Sequence, residues 1–155
     1  SPRSSVVVFI NELGSLYHLE AELIKGFVCN KKQSAEAYKS QLIGRRWFFL
    51  KVILQSEGIT LYQAPLETSY HHLQSGLMKS QSRSTTQFWL DRSSKEKEPE
   101  RLRRWGYKKK LRALLGKQAP ELADKIGKKG YRFRDIPDII EAYSKILREK
   151  KRPRT

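Results

Sequence analysis

Apolar residues in the first part of the chain fall mostly three or four apart: Phe9, Leu13, Leu16, Tyr17, Leu23, Ile24 and Phe27, with Glu12, Glu20 and Glu22 filling other faces. That spacing predicts an α-helix, which Ser4 or Ser5 would cap. The run Val6-Val7-Val8 prefers extended backbone, so a short strand leading into a helix is the alternative. Asn30 to Gln33 reads as a turn. A second helix is predicted from Ser34 to about Gln55, with Ala35, Tyr38, Leu42, Phe49, Val52 and Ile53 on one face and Trp47, Leu50 and Leu54 on another. A helix apolar on two sides is a central one, covered by neighbours on both. Gly58 would end it. Ile59-Thr60-Leu61-Tyr62 alternates and suits a short strand. Thr68 to Met78 suits another helix through Tyr70, Leu73 and Leu77. Residues 79–87 contain no large apolar side chain and read as a loop, after which Phe88-Trp89-Leu90 re-enter the core.

The rest of the chain has clearer punctuation. Glu98-Pro99-Glu100 places proline and carboxylates where a helix N-terminus favours them. Leu102, Trp105, Tyr107, Leu111, Leu114 and Leu115 then give an apolar face, with Gly106 as a kink and Gly116 as a stop. Arg101, Arg104, Lys108 and Arg112 recur at spacings of three and four, a cationic stripe beside the apolar one. Ala119 to Gly127 reads as a short helix with a glycine stop. Lys128 to Arg134 alternates briefly. Asp135 would cap a last helix with Pro137 in its first turn, and Ile136, Ile139, Ile140, Tyr143, Ile146 and Leu147 give it the cleanest stripe in the chain. The fold class expected is therefore mainly α: a compact bundle of about five to seven helices with one or two short strands or a small β-hairpin. Residues 1–90 would form a helical core and docking part and residues 91–155 a basic helical part, unless the two are one continuous domain.

Charge sharpens that division. Residues 1–78 hold eight Lys/Arg and six Asp/Glu, and residues 79–155 hold twenty-four and ten, so that +14 of the net +16 lies in the second half. Between Arg101 and Arg134 thirteen basic residues meet two acidic ones, Glu121 and Asp124, and Trp105, Tyr107, Tyr131 and Phe133 are interleaved with them. Cations among aromatic rings suit a polyanion with flat faces, which describes nucleic acid better than a membrane or an acidic protein. Arginine offers phosphate a planar pair of donors. The phosphate contacts expected are Arg101, Arg104, Lys108, Lys109, Arg112, Lys128, Lys129, Arg132 and Arg134. Tyr107 and Tyr131, flanked by cations, are the base or sugar contacts, whereas Trp105 and Phe133 read as core residues.

Leu122-Ala123-x-x-Ile126-Gly127 has the shape of the first helix of many helix-turn-helix units, where Ala permits a close crossing and Gly a tight turn. A recognition helix would begin near Tyr131 or Ile136, after a longer gap than usual. Gly130-Tyr131-Arg132-Phe133 resembles the hairpin that ends the winged-helix domains of response regulators. The match covers four residues, and a further helix follows where that family usually stops. This resemblance implies a sequence-specific DNA-binding regulator as the alternative to general backbone binding.

Catalytic patterns are sparse. With His18, His71, His72 and the single Cys29, neither a Cys-x-x-Cys nor a spaced His pair can be drawn, so neither a structural zinc nor any other metal or cofactor is expected. Lys128-Lys129-Gly130 lacks the rest of a phosphate-binding nucleotide loop. Tyr70-His71-His72 resembles the tyrosine and paired histidines of strand-nicking enzymes, although here the histidines are adjacent. Asp138, Glu141 and Lys145 resemble a metal-dependent nuclease set but, on a helix, form an ordinary ion-pair ladder. A nuclease or nickase is thus the third reading. No apolar run approaches the ~20 residues of a bilayer span, and Asn11 and Glu12 interrupt the brief signal-like run Val6–Ile10. One cysteine leaves no intramolecular disulfide and points to an intracellular setting, cytoplasmic or nucleoid. Arg45-Arg46 suits internal pairing, and the neutral front half offers a docking face for a protein partner in a nucleoprotein assembly. The expectation as a whole is a non-catalytic nucleic-acid-binding protein.

Overall fold

The computed structural model describes residues 5–31, 34–56, 58–74, 77–92 and 98–151, with the side chains of 31 and 65–85 left aside. Its architecture corrects the expected helical bundle: it is mainly β, with eight strands and three α-helices among the described residues. The strands are β1 (Val6–Ile10), β2 (Leu16–Glu20), β3 (Gly26–Lys31), β4 (Ser34–Ile43), β5 (Arg46–Ser56), β6 (Ile59–Gln74), β7 (Leu77–Asp91) and β8 (Glu100–Leu102). The helices α1 (Tyr107–Leu115), α2 (Pro120–Lys125) and α3 (Ile136–Lys151) follow, with a 3-10 turn over Phe133–Asp135. β1 and β2 form a two-stranded antiparallel sheet, and β3 to β8 form a second sheet in sequence order. The chain divides into two compact units, Ser1–Lys51 with Gln63–Gln87 and Val52–Tyr62 with Phe88–Thr155.

In the first unit, the three-and-four spacing of the N-terminal segment arises from strand pairing across a turn. Phe9 faces Tyr17 and Ile10 faces Leu16 across the hairpin. Asn11 turns the chain by accepting the Leu13 and Ser15 amides on its Oδ1 at 3.0 and 2.8 Å, and Gly14 takes a φ of +79°. The predicted second helix is instead the pair β4–β5. Ile43 pairs with Arg46, leaving Gly44-Arg45 as the two-residue loop, and Gly44 has the positive φ (+65°) that hairpins of this length require. Arg45 and Arg46 are both exposed. Trp47 to Leu54 is apolar except for Lys51, a pattern that suits a strand covered on both faces as well as a central helix. Phe27 stacks on Tyr38 with ring centroids 4.8 Å apart and meets Phe49 edge-on at 5.0 Å. Glu36 accepts the Tyr38 hydroxyl at 3.0 Å and the Lys51 ammonium at 2.7 Å, and the Ser40 hydroxyl donates to the Ile24 carbonyl. The helix expected over Thr68–Met78 is not formed among the described residues: 68–74 lie in β6 and 77–78 in β7, as does the stretch 79–87 expected as a loop.

The second unit holds the main core. Ile59 and Leu61 of β6, Phe88 and Leu90 of β7 and Leu102 of β8 pack with Tyr107, Leu111 and Leu115 of α1 and with Ile136, Ile139, Ile140 and Tyr143 of α3. The predicted stripe of the last helix is found in place, with Ile146 and Leu147 half-buried against the same core. Pro120 occupies the first turn of α2, where a missing amide costs no hydrogen bond, and Leu122 and Ala123 turn inward. The helix expected from Glu98 begins only at Tyr107. Glu100–Leu102 is a strand opposite Leu90, Trp89 and Phe88. Gly106, at a φ of +106°, stands outside the helix as its N-cap.

Candidate functional site

The cationic stripe predicted from Arg101 to Arg112 does not form, because its members lie on different elements. Arg101 sits on β8 opposite Trp89, with its carbonyl accepting the Lys110 ammonium at 3.1 Å. Arg104 is exposed in the turn before α1. Tyr107, Leu111 and Leu115 are the buried stripe of α1. At 100° per residue, Lys108 and Arg112 therefore lie on one flank of that stripe, Lys110 on the other, and Lys109 points away from the core.

The Lys108–Arg112 flank lies against the turn that follows α2. Gly127, at a φ of +95°, carries no side chain, and Lys108 fills that place: a Cβ there would meet Lys108 Cε at 2.8 Å. Arg112 Nη2 donates to the Ile126 carbonyl at 3.1 Å, at the negative end of α2. The turn is closed by the Gly127 amide donating to the Tyr131 carbonyl at 2.7 Å and the Tyr131 amide to the Lys128 carbonyl at 3.0 Å. The Arg132 amide donates to Asp135 Oδ2 at 2.9 Å and leads into the 3-10 turn. Lys108 and Arg112 are thus brought together with Lys128 and Lys129, which are both exposed. Lys125, absent from the sequence-based set, joins them with its ammonium 5.9 Å from the Tyr131 ring centroid.

The described ion pairs engage only two of the thirteen cations between Arg101 and Arg134. Lys110 binds Glu100 at 2.7 Å, and the 81% exposed Arg134 approaches Asp135 at 3.4 Å. Arg112 spends one of five donors on a carbonyl and keeps its charge. The result is a surface of ammonium and guanidinium groups held by backbone and by a glycine, with no carboxylate bound to Lys108, Arg112, Lys128 or Lys129 among the described pairs.

Tyr107 and Trp105 exchange the roles expected of them, while Phe133 packs against the core as expected. Tyr107 is buried and meets Phe133 edge-on at 5.5 Å, so its ring has no face open to a base. Tyr131 is half-buried beside Lys125. Trp105, read as core, is 92% exposed in the turn after Arg104. The phase of the helix carries the signal that finds it, since Trp105 lies about 200° around from Tyr107 and cannot share its stripe.

Gly130–Phe133 forms a turn running into the 3-10 segment, not a hairpin. Residues 126–135 separate α2 from α3, against a three- or four-residue turn in a helix-turn-helix unit. Glu141 pairs with Lys145 at 2.9 Å one helical turn away, and that lysine holds the carboxyl below its ordinary range. No group of three or more His, Cys, Asp or Glu side chains suited to a metal ion occurs among the described residues. The side chains of Tyr70, His71 and His72 lie outside the described residues. Among the described residues no helix is long and apolar enough to cross a membrane. Comparison with protein-family models, with curated proteins and with solved structures finds no match for this chain.

Proposed function

We propose that this protein binds nucleic acid through its phosphate backbone, without catalysis, on the surface formed by the exposed flank of α1 and the turn after α2. The observation that carries this reading is the seating of Lys108 and Arg112 on the 126–131 turn, beside Lys128 and Lys129. Cations from two segments then share one face, and the ion pairs that would neutralise them are absent among the described residues. Separated phosphates along one strand match such an array, and each neutralised phosphate releases counterions. Trp105 replaces Tyr107 as the exposed aromatic face to stack on an unpaired base.

The test is a titration of single- and double-stranded DNA and RNA at two salt concentrations. Binding weakens steeply with salt, and replacing Lys108, Lys109 and Arg112 with Ala weakens it for all sequences alike. The slope of log affinity against log salt becomes shallower by about one unit per lost contact. Unchanged affinity in the triple variant refutes the surface. A short duplex that outcompetes random DNA at physiological salt would instead favour a sequence-specific regulator. Metal-dependent cleavage lost in Asp138→Ala or His71→Ala would favour a nuclease.

A further inference from the structure

We propose that the β1–β2 hairpin is a docking arm that pairs, through β1, with the free edge of β3 in a second copy of this chain. The hairpin is a sheet of its own, and a two-stranded ribbon in water is only marginally stable alone. It also exposes apolar side chains on both faces: Val6, Val8 and Ile10 on one, Phe9 and Tyr17 on the other. Its base is anchored by the buried Ala21, whose amide donates to the Ser5 carbonyl at 2.7 Å. Sheet edges exposed to water are usually blunted by lysine, proline or a bulge. β1 has neither a charged residue nor a proline.

The matching surface lies in the same unit. Among the described residues β3 pairs only with β4, so it ends the six-stranded sheet, and Val28 on it is 62% exposed. From Phe27 to Asn30 the edge is uncharged. The flanking charges are opposite. Residues 5–24 carry Glu12, Glu20 and Glu22 and no Lys or Arg, a net of −3. Residues 25–43 carry Lys25, Lys31, Lys32 and Lys39 against Glu36, a net of +3. In a chain of net charge +16 this acidic arm is the segment that a second copy attracts. Each copy has both halves of the contact, so a two-fold axis satisfies both arms at once. Backbone hydrogen bonds then continue the sheet by strand addition.

Light scattering on this chain, eluted from a sizing column after nuclease treatment, is expected to give a dimer at low salt that dissociates as salt rises. Cys29 is the only cysteine, is exposed and lies on β3, so it reports the contact directly. Val6→Cys, Val8→Cys and Ile10→Cys, made singly, alter exposed side chains and leave the fold intact by circular dichroism. With oxidised glutathione added, at least one of them forms a disulfide-linked dimer that disappears when Cys29→Ser is combined with it. A wild-type chain that stays monomeric at its highest attainable concentration overturns the proposal. So does a covalent dimer that survives Cys29→Ser, which would place β1 against β1.

Discussion

Residues 5–24 and residues 98–151 treat their large apolar side chains in opposite ways. In the hairpin, Val6, Val8, Phe9, Ile10, Leu13, Leu16 and Tyr17 stand in solvent, whereas in the helical segment Trp105 alone among the described large hydrophobics does so. A helix needs one covered stripe, and α1 and α3 each find a neighbouring layer for theirs. A two-stranded ribbon has two faces and brings no layer of its own. The same kinds of apolar side chain therefore supply cohesion in one region and a surface for association in the other.

The sharpest break in that comparison comes from matched truncations. Leu111→Ala or Ile140→Ala, at side chains with no solvent exposure, should destabilise the protein by about 2–5 kcal/mol in denaturant titration. Val8→Ala or Ile10→Ala should change monomer stability by no more than ~0.5 kcal/mol. Equal losses at both places would show that the hairpin is packed after all. Next in size, Gly26→Ala should cost about 1–3 kcal/mol, because the added Cβ meets the Tyr38 carbonyl oxygen and φ is +154°. Denaturant midpoints measure this too, and a neutral result would show that β3 shifts freely on β4.

Smaller effects separate the cations of α1. Arg112→Ala removes the bond to the Ile126 carbonyl, so it should lower thermal stability by about 1 kcal/mol and weaken nucleic-acid binding as well. Lys109→Ala should weaken binding and leave the melting temperature in place, since Lys109 points away from the core. The least pronounced effect is expected in alkali. Burial, reinforced by the Asp91 charge, raises the Tyr62 phenol above its ordinary 10.0, and burial raises Tyr143 against an opposing pull from Arg92. Both are neutral in either state below pH 10. Above it the unfolded chain ionises first, so stability falls as pH climbs toward the folded values. Phenolate absorbance followed alongside unfolding should show these two tyrosines ionising late, and replacing Tyr143 by Phe should remove part of the alkaline loss.

The helical third of the fold was legible because each of its signals is local. The spacing of Ile136, Ile139, Ile140 and Tyr143, the proline at 120 and the glycines at 116 and 127 act within a few residues of themselves. The β part was not, because pairing is decided between residues distant in sequence. Phe9 and Tyr17 share a helical spacing by number yet are partners across a turn, and the polar run 79–87 offers no side-chain pattern although its backbone is paired in β7. The charge of the candidate surface was visible, but its composition was not. The phase of α1 moved Tyr107 inside and left Trp105 outside, and Lys125 entered through a turn that only the fold defines.

The three indoles occupy three settings: Trp89 buried with its N–H unbonded among the described residues, Trp47 half-covered and Trp105 in water. Emission should accordingly be heterogeneous, with a red-shifted component from the last. Iodide, an anion drawn toward Arg103 and Arg104, should quench that component more strongly than acrylamide does. A bound strand that covers the indole would protect it, giving an optical readout of occupancy that needs no label.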